Sequence, residues 1–163
     1  MGSLTQLQEE IGRCRLLLLD TMVLSYHLAD HPRYALLSRI ILEAVEAGRP
    51  AGIITTITLG EVLTAPAQAG NRQAMRDYEL YLTQFPNLHT IPLDAAVARE
   101  TALVRAATGM RLPDAIQVAT ARLHGADVIV TNDRRWVGRV TAPALLILDD
   151  YTASDLPAPH DQL

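Results

Sequence analysis

Short apolar runs alternate with longer amphipathic segments along this chain. The runs are bounded by polar or turn-forming residues and lie at Leu16 to Leu19, Gly52 to Thr56, His89 to Ile91, Asp127 to Thr131 and Leu145 to Leu148. Continuous hydrophobic character of this kind is typical of strands in a parallel sheet that is covered on both faces. We therefore predict that all of the runs are buried strands of one sheet.

The segments between the runs carry apolar residues at helical spacing. One stripe consists of Leu36, Leu37, Ile40, Ile41, Ala44 and Val45, and another consists of Leu93, Ala96, Val97, Leu103 and Val104. Gly48 with Pro50, and Gly125, lie where such helices are expected to end. Helices between consecutive strands indicate βαβ crossovers, so the pattern predicts an α/β fold. In open sheets of this class, ligands bind beyond the carboxyl ends of the strands.

The length and composition fit one domain. The chain has 163 residues, of which 49% are hydrophobic and 20% are charged, and it contains no repeat or linker-like segment. We predict a single domain over residues 15–151, with an N-terminal extension over residues 1–14 and a C-terminal tail over residues 152–163.

Charge and cysteine content exclude several classes of function. All 14 basic residues are Arg, so chemistry based on a phosphate-loop or Schiff-base lysine is excluded. The net charge of -4 gives no general positive field, so any contact with nucleic acid must be local. Cys14 is the only cysteine, which excludes an internal disulfide and a CxxC zinc site. With no apolar run long enough for a membrane span or signal sequence, we predict a cytoplasmic protein.

Acidic residues follow several of the predicted strands. Asp20 ends the first run, Glu61 comes shortly after the second, and Asp133 follows the fourth. Because the carboxyl ends of parallel strands meet at one edge of a sheet, these acids are expected to lie together. Asp114 comes directly after Pro113 at the start of a helical segment, so its position depends on how that helix packs.

Each acid also has a purely structural interpretation. Thr58 and Glu61 match the S/T-x-x-E capping box, Asp20 and Asp133 suit helix N-caps, and Asp114 suits the positive end of a helix dipole. Capping does not require, however, that several acids collect at one edge, where their charges raise one another's pKa. A cation would relieve that repulsion. An all-oxygen ligand set favours Mg²⁺ or Mn²⁺, ions that assist phosphodiester hydrolysis.

Short motifs surround these acids. In chain order they are Leu-Leu-Asp20-Thr21, Thr-Leu-Gly-Glu61-Val-Leu, Leu-Pro-Asp114-Ala-Ile-Gln-Val-Ala-Thr-Ala, and Val-Ile-Val-Thr131-Asn132-Asp133 followed by Trp136. The ordered set resembles the motifs of PIN-domain ribonucleases, of the kind found as toxins of VapBC toxin–antitoxin pairs. The resemblance covers roughly Leu16 to Leu148, which is most of the chain.

The resemblance implies a three-layer fold in which helices flank a five-stranded parallel sheet. It also implies hydrolysis of RNA with Mg²⁺ or Mn²⁺, a homodimer, and inhibition by a cognate antitoxin. The catalytic and metal-binding acids would be Asp20, Glu61, Asp114 and Asp133. The groups that orient these carboxylates or a metal-bound water would be Thr21, Thr131 and Asn132.

Two features depart from the family pattern. Met22 stands where the family often has Asn or Ser, which removes a polar contact beside Asp20. The segment before Arg15 is longer than usual, and three roles are open for it: covering the pocket, extending the dimer, or remaining disordered.

Arginines near the third and fourth motifs are candidate RNA contacts, because a guanidinium group binds phosphate through two parallel hydrogen bonds. They are Arg111, Arg134, Arg135 and Arg139. Ion pairs or a solvated surface are the alternative. In that case Arg111 would pair with Asp114, and the later arginines would pair with Asp149 and Asp150.

The predicted function is therefore a metal-dependent endoribonuclease, with the toxin of a type II toxin–antitoxin pair as its role. A PIN nuclease that processes RNA without an antitoxin, and a catalytically degenerate PIN-fold binding module, remain alternatives. Phosphatases with an Asp nucleophile and phospho-accepting receiver domains also place an Asp after a strand. Both need a Lys that this chain lacks, and the phosphatase needs a second Asp where Met22 stands.

Overall fold

The computed structural model describes residues 2–151, and the predicted tail at 152–163 lies outside the described residues. The helices are α1 Leu4–Gly12, α2 Thr21–Leu28, α3 Ala35–Glu46, α4 Thr56–Gln68, α5 Arg72–Gln84, α6 Ala95–Thr108 and α7 Leu112–Leu123. The strands are β1 Leu16–Leu19, β2 Ala51–Thr55, β3 Leu88–Ile91, β4 Val128–Thr131 and β5 Ala144–Ile147. Two 3₁₀ turns follow the last strands, at Arg134–Trp136 and Leu148–Tyr151.

The strands form one parallel sheet in the order β3-β2-β1-β4-β5. The chain proceeds from β1 towards one edge of the sheet and then returns to β4 on the other side of β1. The strand order therefore reverses between β1 and β4. Because ligands of such folds bind outside the carboxyl ends of the strands at this reversal, the ends of β1 and β4 define where a site is expected.

Helices cover both faces of the sheet, which gives three layers. On one face, Leu17 and Leu19 of β1 pack in a core with side chains from α1 to α5. On the other face, Leu18 and Ile129 pack with α6 and α7 in a second core, which Trp136 completes. Alternate residues of each strand thus serve opposite cores. The predicted three-layer α/β fold with a five-stranded parallel sheet is confirmed.

The boundaries of the elements differ from the sequence prediction by one residue at several points. Thr56 was predicted to end the second strand but begins α4, because the Thr55 hydroxyl accepts a hydrogen bond of 3.1 Å from the amide of Thr58 and caps the helix. Asp127 lies outside β4. Its carboxylate accepts hydrogen bonds from the amides of Arg15 and Leu16, at 2.7 and 3.0 Å, and so ties the start of β1 to the start of β4.

The first 14 residues, separated from the domain in the sequence prediction, contain a helix that packs into its core. Leu7 and Ile11 of α1 are fully buried in the same cluster as β1 and α3. Ser3 caps the helix, and its amide bonds the side chain of Gln6 in return. The hydroxyl of Tyr151 donates a hydrogen bond to Glu10, which joins α1 to the last described turn.

Within residues 2–151, no helix is both long enough and apolar enough to cross a bilayer.

Candidate active site

Asp20 lies directly after β1 and is the most buried of the predicted acids, with only 5% of its surface exposed. Its Oδ1 accepts a hydrogen bond of 2.8 Å from the side-chain amide of Gln117, and its Oδ2 accepts one of 2.6 Å from the hydroxyl of Thr131. Asp20 occupies the N-cap position of α2 but makes no side-chain capping bond. Its interpretation as a helix cap is therefore wrong, because both oxygens face other elements.

Glu61 points from α4 towards the start of α2. Its Oε2 accepts a hydrogen bond of 2.5 Å from the hydroxyl of Thr21, the residue next to Asp20. The capping-box interpretation of Thr58 and Glu61 is wrong, because Thr55 caps α4 and Thr58 already lies inside the helix. This hydrogen bond ties Glu61 to the residue that follows Asp20.

Thr131, at the end of β4, links Asp20 to Asp133. While its hydroxyl donates to Asp20, the same oxygen accepts a hydrogen bond of 3.1 Å from the amide of Asp133. Asp133 also caps the turn at Arg134–Trp136, accepting a bond of 2.9 Å from the amide of Arg135. Its structural interpretation as a cap therefore holds, and the cap leaves the acid at the same edge of the sheet.

Asp114 lies in the first turn of α7 and shares a small hollow with Asp133. The hollow is lined by Gly109, Met110, Arg111, Asp114, Asp133, Arg135, Trp136 and Arg139. Arg111 contacts Asp114 at 3.4 Å, which matches the ion pair that the sequence left open for this arginine. Arg135 binds both oxygens of Asp133, through Nε at 2.8 and 3.0 Å and through Nη2.

The two best-defined acids have opposite electrostatic environments. Burial raises the pKa of Asp20, the hydrogen bonds from Thr131 and Gln117 oppose that rise, and the charge of Asp114 adds to it. The hydrogen bonds from Arg135 lower the pKa of Asp133. The charge of Asp20 is thus held by neutral donors, whereas an arginine neutralises the charge of Asp133.

These environments bear on whether a divalent ion fits the site. Among residues 2–151, no three His, Cys, Asp or Glu side chains are already arranged to hold a metal ion. Arg111 pairs with Asp114, and Arg135 pairs with Asp133. These arginines therefore relieve part of the repulsion among the acids, which the sequence analysis expected a metal ion to relieve. The donor set itself suits Mg²⁺ or Mn²⁺, since it offers carboxylate oxygens only. The hydrogen bonds of Asp20 come from the neutral side chains of Gln117 and Thr131, so no arginine in these bonds competes with an ion for its oxygens.

Asn132 and Arg134 have hydrogen-bond and ion-pair partners other than the four predicted acids. The Nδ2 of Asn132 donates to the hydroxyl of Tyr26 at 3.3 Å, and its Oδ1 accepts from the amide of Asp149 at 2.8 Å. Asn132 therefore joins β4 to the last turn, and none of these bonds reaches a predicted metal ligand. Arg134 pairs with Asp149 and Asp150, as the ion-pair alternative predicted. Met22 is half-buried in the first turn of α2.

Gln117 is the residue that sequence reasoning missed. It is 1% exposed, its Nε2 bonds Asp20, and its Oε1 has no hydrogen-bond partner among the described residues. Gln117 lies within the third sequence motif, and no functional role was predicted for it. A lone amide in the otherwise small and apolar run that follows Asp114, three positions after that acid, was the available sign.

The comparisons with known proteins agree with the fold and the motifs. A family model of the PIN domain matches residues 17–141, so the chain belongs to the PIN-domain family. The assignment made from the four acidic motifs is confirmed. No curated protein sequence is significantly similar to the chain.

Solved structures with the same fold include chains from toxin–antitoxin systems. FitAcB of Neisseria gonorrhoeae aligns with a TM-score of 0.59 and 25% identity, over 81% of this chain and 97% of that chain. VapBC2 of Rickettsia felis, bound to a DNA fragment of its promoter, aligns with a TM-score of 0.66 and 17% identity, over 81% and 98%. Mycobacterium tuberculosis VapC20, described as a sarcin–ricin loop cleaving toxin, aligns with a TM-score of 0.51 and 15% identity, over 69% and 86%.

Proposed function

We propose that this protein is a metal-dependent endoribonuclease that serves as the toxin of a toxin–antitoxin pair. The observation that carries the proposal is the buried carboxylate of Asp20 at the strand-order reversal, linked through Thr131 to Asp133 and through its neighbour Thr21 to Glu61. The acids lie where such folds bind ligands, and the structural roles found for them do not account for the buried carboxylate of Asp20, which caps no helix. The likeness to VapBC and FitAB chains supports the toxin role.

Asp20, Asp114 and Asp133 would hold Mg²⁺ or Mn²⁺, and Glu61 would either complete the ligand set or orient the attacking water. A bound ion of this kind lowers the pKa of a coordinated water and neutralises charge on phosphate oxygens. The chain's own contribution is orientation. Gln117 and Thr131 fix both oxygens of Asp20, and Thr21 fixes the carboxylate of Glu61.

The substrate would be RNA held by its phosphates in the hollow between α7 and the turn after β4. Arg111, Arg135 and Arg139 line this hollow together with two of the acids. Their guanidinium groups suit phosphate recognition. Since the net charge is -4, binding to generic RNA is expected to be weak and sensitive to salt. Arg134, which pairs with Asp149 and Asp150, is a weaker candidate than the sequence suggested.

An antitoxin and a second copy of the chain are the proposed protein partners, and the cytoplasm, where RNA targets lie, is the proposed location. An apolar groove between α2, α4 and α5, which includes Leu28, Val62 and Tyr78, offers a surface for an antitoxin segment. Exposed leucines on α6 and α7, Leu103 and Leu123, offer apolar area for a dimer. Light scattering of the purified chain, alone and with the product of a small adjacent gene, measures both associations.

The decisive experiment is cleavage of RNA by purified protein with Mg²⁺, with Mn²⁺ and with EDTA. We expect cleavage that requires the metal and falls at least about a hundredfold in Asp20→Asn and in Asp114→Asn. Asp77→Asn, an exposed change on α5 with the same loss of charge, is the matched control and should cleave like the wild type. Activity that survives both site variants would overturn the proposal.

The two alternative functions predict different outcomes. A degenerate binding module would retain RNA without metal-dependent turnover, which the same assay detects. An RNA-processing nuclease would cleave RNA but would not arrest growth when expressed, and no adjacent gene product would relieve its effect. Growth arrest that depends on Asp20 and is relieved by the adjacent gene product would support the toxin role.

A further inference from the structure

The hollow between α7 and the turn after β4 is lined by three arginines but only two acids. Arg135 binds both oxygens of Asp133, and Arg111 contacts Asp114 at 3.4 Å. Arg139 lines the same hollow, and no ion pair joins it to an acid within residues 2–151. Three cationic groups and two acids therefore meet in one place, and two of the cations are bound to acids.

The side-chain contact between Arg135 and Asp133 is not needed to form the turn at Arg134–Trp136. The backbone amide of Arg135 already donates a hydrogen bond of 2.9 Å to Oδ1 of Asp133 and caps the turn. The guanidinium group adds a second set of bonds to the same carboxylate while the Arg135 side chain is 68% exposed. Its planar group binds carboxylate and phosphate in the same two-pronged way. It is therefore free to exchange one for the other without unfolding the turn.

A divalent ion and Arg135 would compete for the same oxygens. Asp133 is 13% exposed at its side chain, and Arg135 approaches both of its oxygens, so an ion bound there must displace at least part of this contact. An RNA phosphate that enters the hollow offers the displaced guanidinium group a replacement partner. Binding of the phosphate would then release Asp133, and binding of the ion would release Arg135.

We propose that Arg135 is an exchange residue, which holds Asp133 in the RNA-free protein and moves to an RNA phosphate when substrate enters, so that RNA and the divalent ion bind cooperatively. The inference rests on the proposed ribonuclease function. Because coupling between two ligands is reciprocal, RNA raises the affinity for the metal by the same factor by which the metal raises the affinity for RNA. Asp133 is thereby released from Arg135 to bind the metal ion mainly when RNA is bound.

The test is calorimetric titration of Mn²⁺ into the full-length protein at about 0.15 M salt, where long-range charge effects are screened. Arg135→Gln removes the competitor, so its Mn²⁺ affinity should exceed that of the wild type by roughly three- to tenfold. Arg139→Gln removes the same charge from the same hollow without releasing an acid, and should change the affinity less. Arg135→Lys keeps the charge but loses the two-pronged contact, and should fall between the wild type and Arg135→Gln.

A second titration measures the coupling directly, with an eight-residue single-stranded oligothymidylate as a source of phosphodiesters. The oligonucleotide should raise the Mn²⁺ affinity of the wild type, after correction for Mn²⁺ bound by the oligonucleotide alone, and should raise that of Arg135→Gln less. In cleavage assays Arg135→Gln should raise KM for RNA, because the phosphate contact is lost. Circular dichroism of each variant checks that the fold is kept.

The outcomes separate this inference from the proposed function. Equal Mn²⁺ affinity in the wild type and Arg135→Gln, or an equal gain in Arg139→Gln, would overturn the exchange role while metal-dependent cleavage still stood. A wild type and an Arg135→Gln variant that both fail to bind Mn²⁺ and to cleave RNA would overturn the proposed function, and the exchange role with it.

Discussion

The side-chain amide of Gln117 donates a hydrogen bond of 2.8 Å to Oδ1 of Asp20, joining the middle of α7 to the end of β1. Both side chains are buried, at 1% and 5% exposure, so water does not compete for this bond. The way α7 packs on the sheet is therefore part of the site, because the helix that carries Asp114 in its first turn also orients Asp20. One packing arrangement thereby places two acids from distant parts of the chain.

Replacing Gln117 with Leu should therefore lower activity more than stability. The variant removes a hydrogen bond to a charged group, which contributes about 1.5–3 kcal/mol, so kcat/KM for RNA should fall about tenfold or more. It also removes Oε1, which is buried and has no hydrogen-bond partner within residues 2–151, and this offsets part of the loss in the free energy of unfolding. RNA cleavage and urea unfolding of Gln117→Leu, beside the exposed control Gln84→Leu, measure the two effects. A wild-type kcat/KM would mean that Gln117 only fills space.

Asp20→Asn should inactivate the protein and stabilise it when no metal is bound. The variant amide oxygen would still accept from Gln117, and its amino group would donate to the hydroxyl of Thr131, so both hydrogen bonds are kept. Burial and Asp114 raise the pKa of Asp20, which means that the folded state disfavours its charge. In EDTA at neutral pH we expect a Tm about 2–4 °C above that of the wild type, the shift that about 1 kcal/mol gives a domain of this size.

The same pair of proteins gives a pH dependence of known sign. Because the folded pKa of Asp20 is raised, the contribution of Asp20 to stability is fully present below the ordinary Asp pKa of about 3.9 and is lost as the pH rises through the folded pKa. The Tm difference between Asp20→Asn and wild type should thus be small near pH 4 and grow towards neutral pH. Asp133, whose pKa is lowered, has the opposite dependence but is common to both proteins. A difference that shrinks as the pH rises would contradict this account.

Thr131→Val should lower kcat with little change in KM for RNA. The hydroxyl holds Oδ2 of Asp20 and receives the amide of Asp133, so its loss leaves two polar groups without their partner. We expect kcat to fall about tenfold or more and the free energy of unfolding to fall by about 1–3 kcal/mol. Thr131→Ser keeps the hydroxyl and should restore most of kcat, whereas equal loss in both variants would assign the effect to the methyl group.

The fold could be predicted from the sequence because most strands are largely apolar runs, and because several helices, such as α1, α4 and α6, follow a residue whose side chain caps them. Errors of one residue arose where adjacent threonines compete. Only the side chain of Thr55, which turns to the amide of Thr58, decides that α4 begins at Thr56. Such a choice depends on side-chain geometry that composition and spacing do not specify.

The residue types of the site were also predictable, but their pairing was not. Acids that follow several strands indicate a shared edge, whereas the partner of each acid depends on how segments from distant parts of the chain converge. Arg135 binds the acid two positions before it, and Arg134 turns instead to Asp149 and Asp150. Neighbouring arginines in one segment therefore have different partners, a distinction that only the three-dimensional structure makes.

The last prediction concerns α1, which lies in the segment that the sequence analysis separated from the domain as an N-terminal extension. Leu4, Leu7 and Ile11 recur at helical spacing, and Leu7 and Ile11 are buried in the core cluster that also contains residues of β1 and α3. Leu7→Ala should lower the free energy of unfolding by about 2–5 kcal/mol, as expected for a fully buried leucine. Leu80→Ala, at a leucine that is 54% exposed on α5, is the matched control and should change it by less than about 0.5 kcal/mol. Urea unfolding measures both. Equal, small effects would mean that α1 is an appendage to the domain, whereas the expected difference makes residues 4–12 part of the core that positions Asp20.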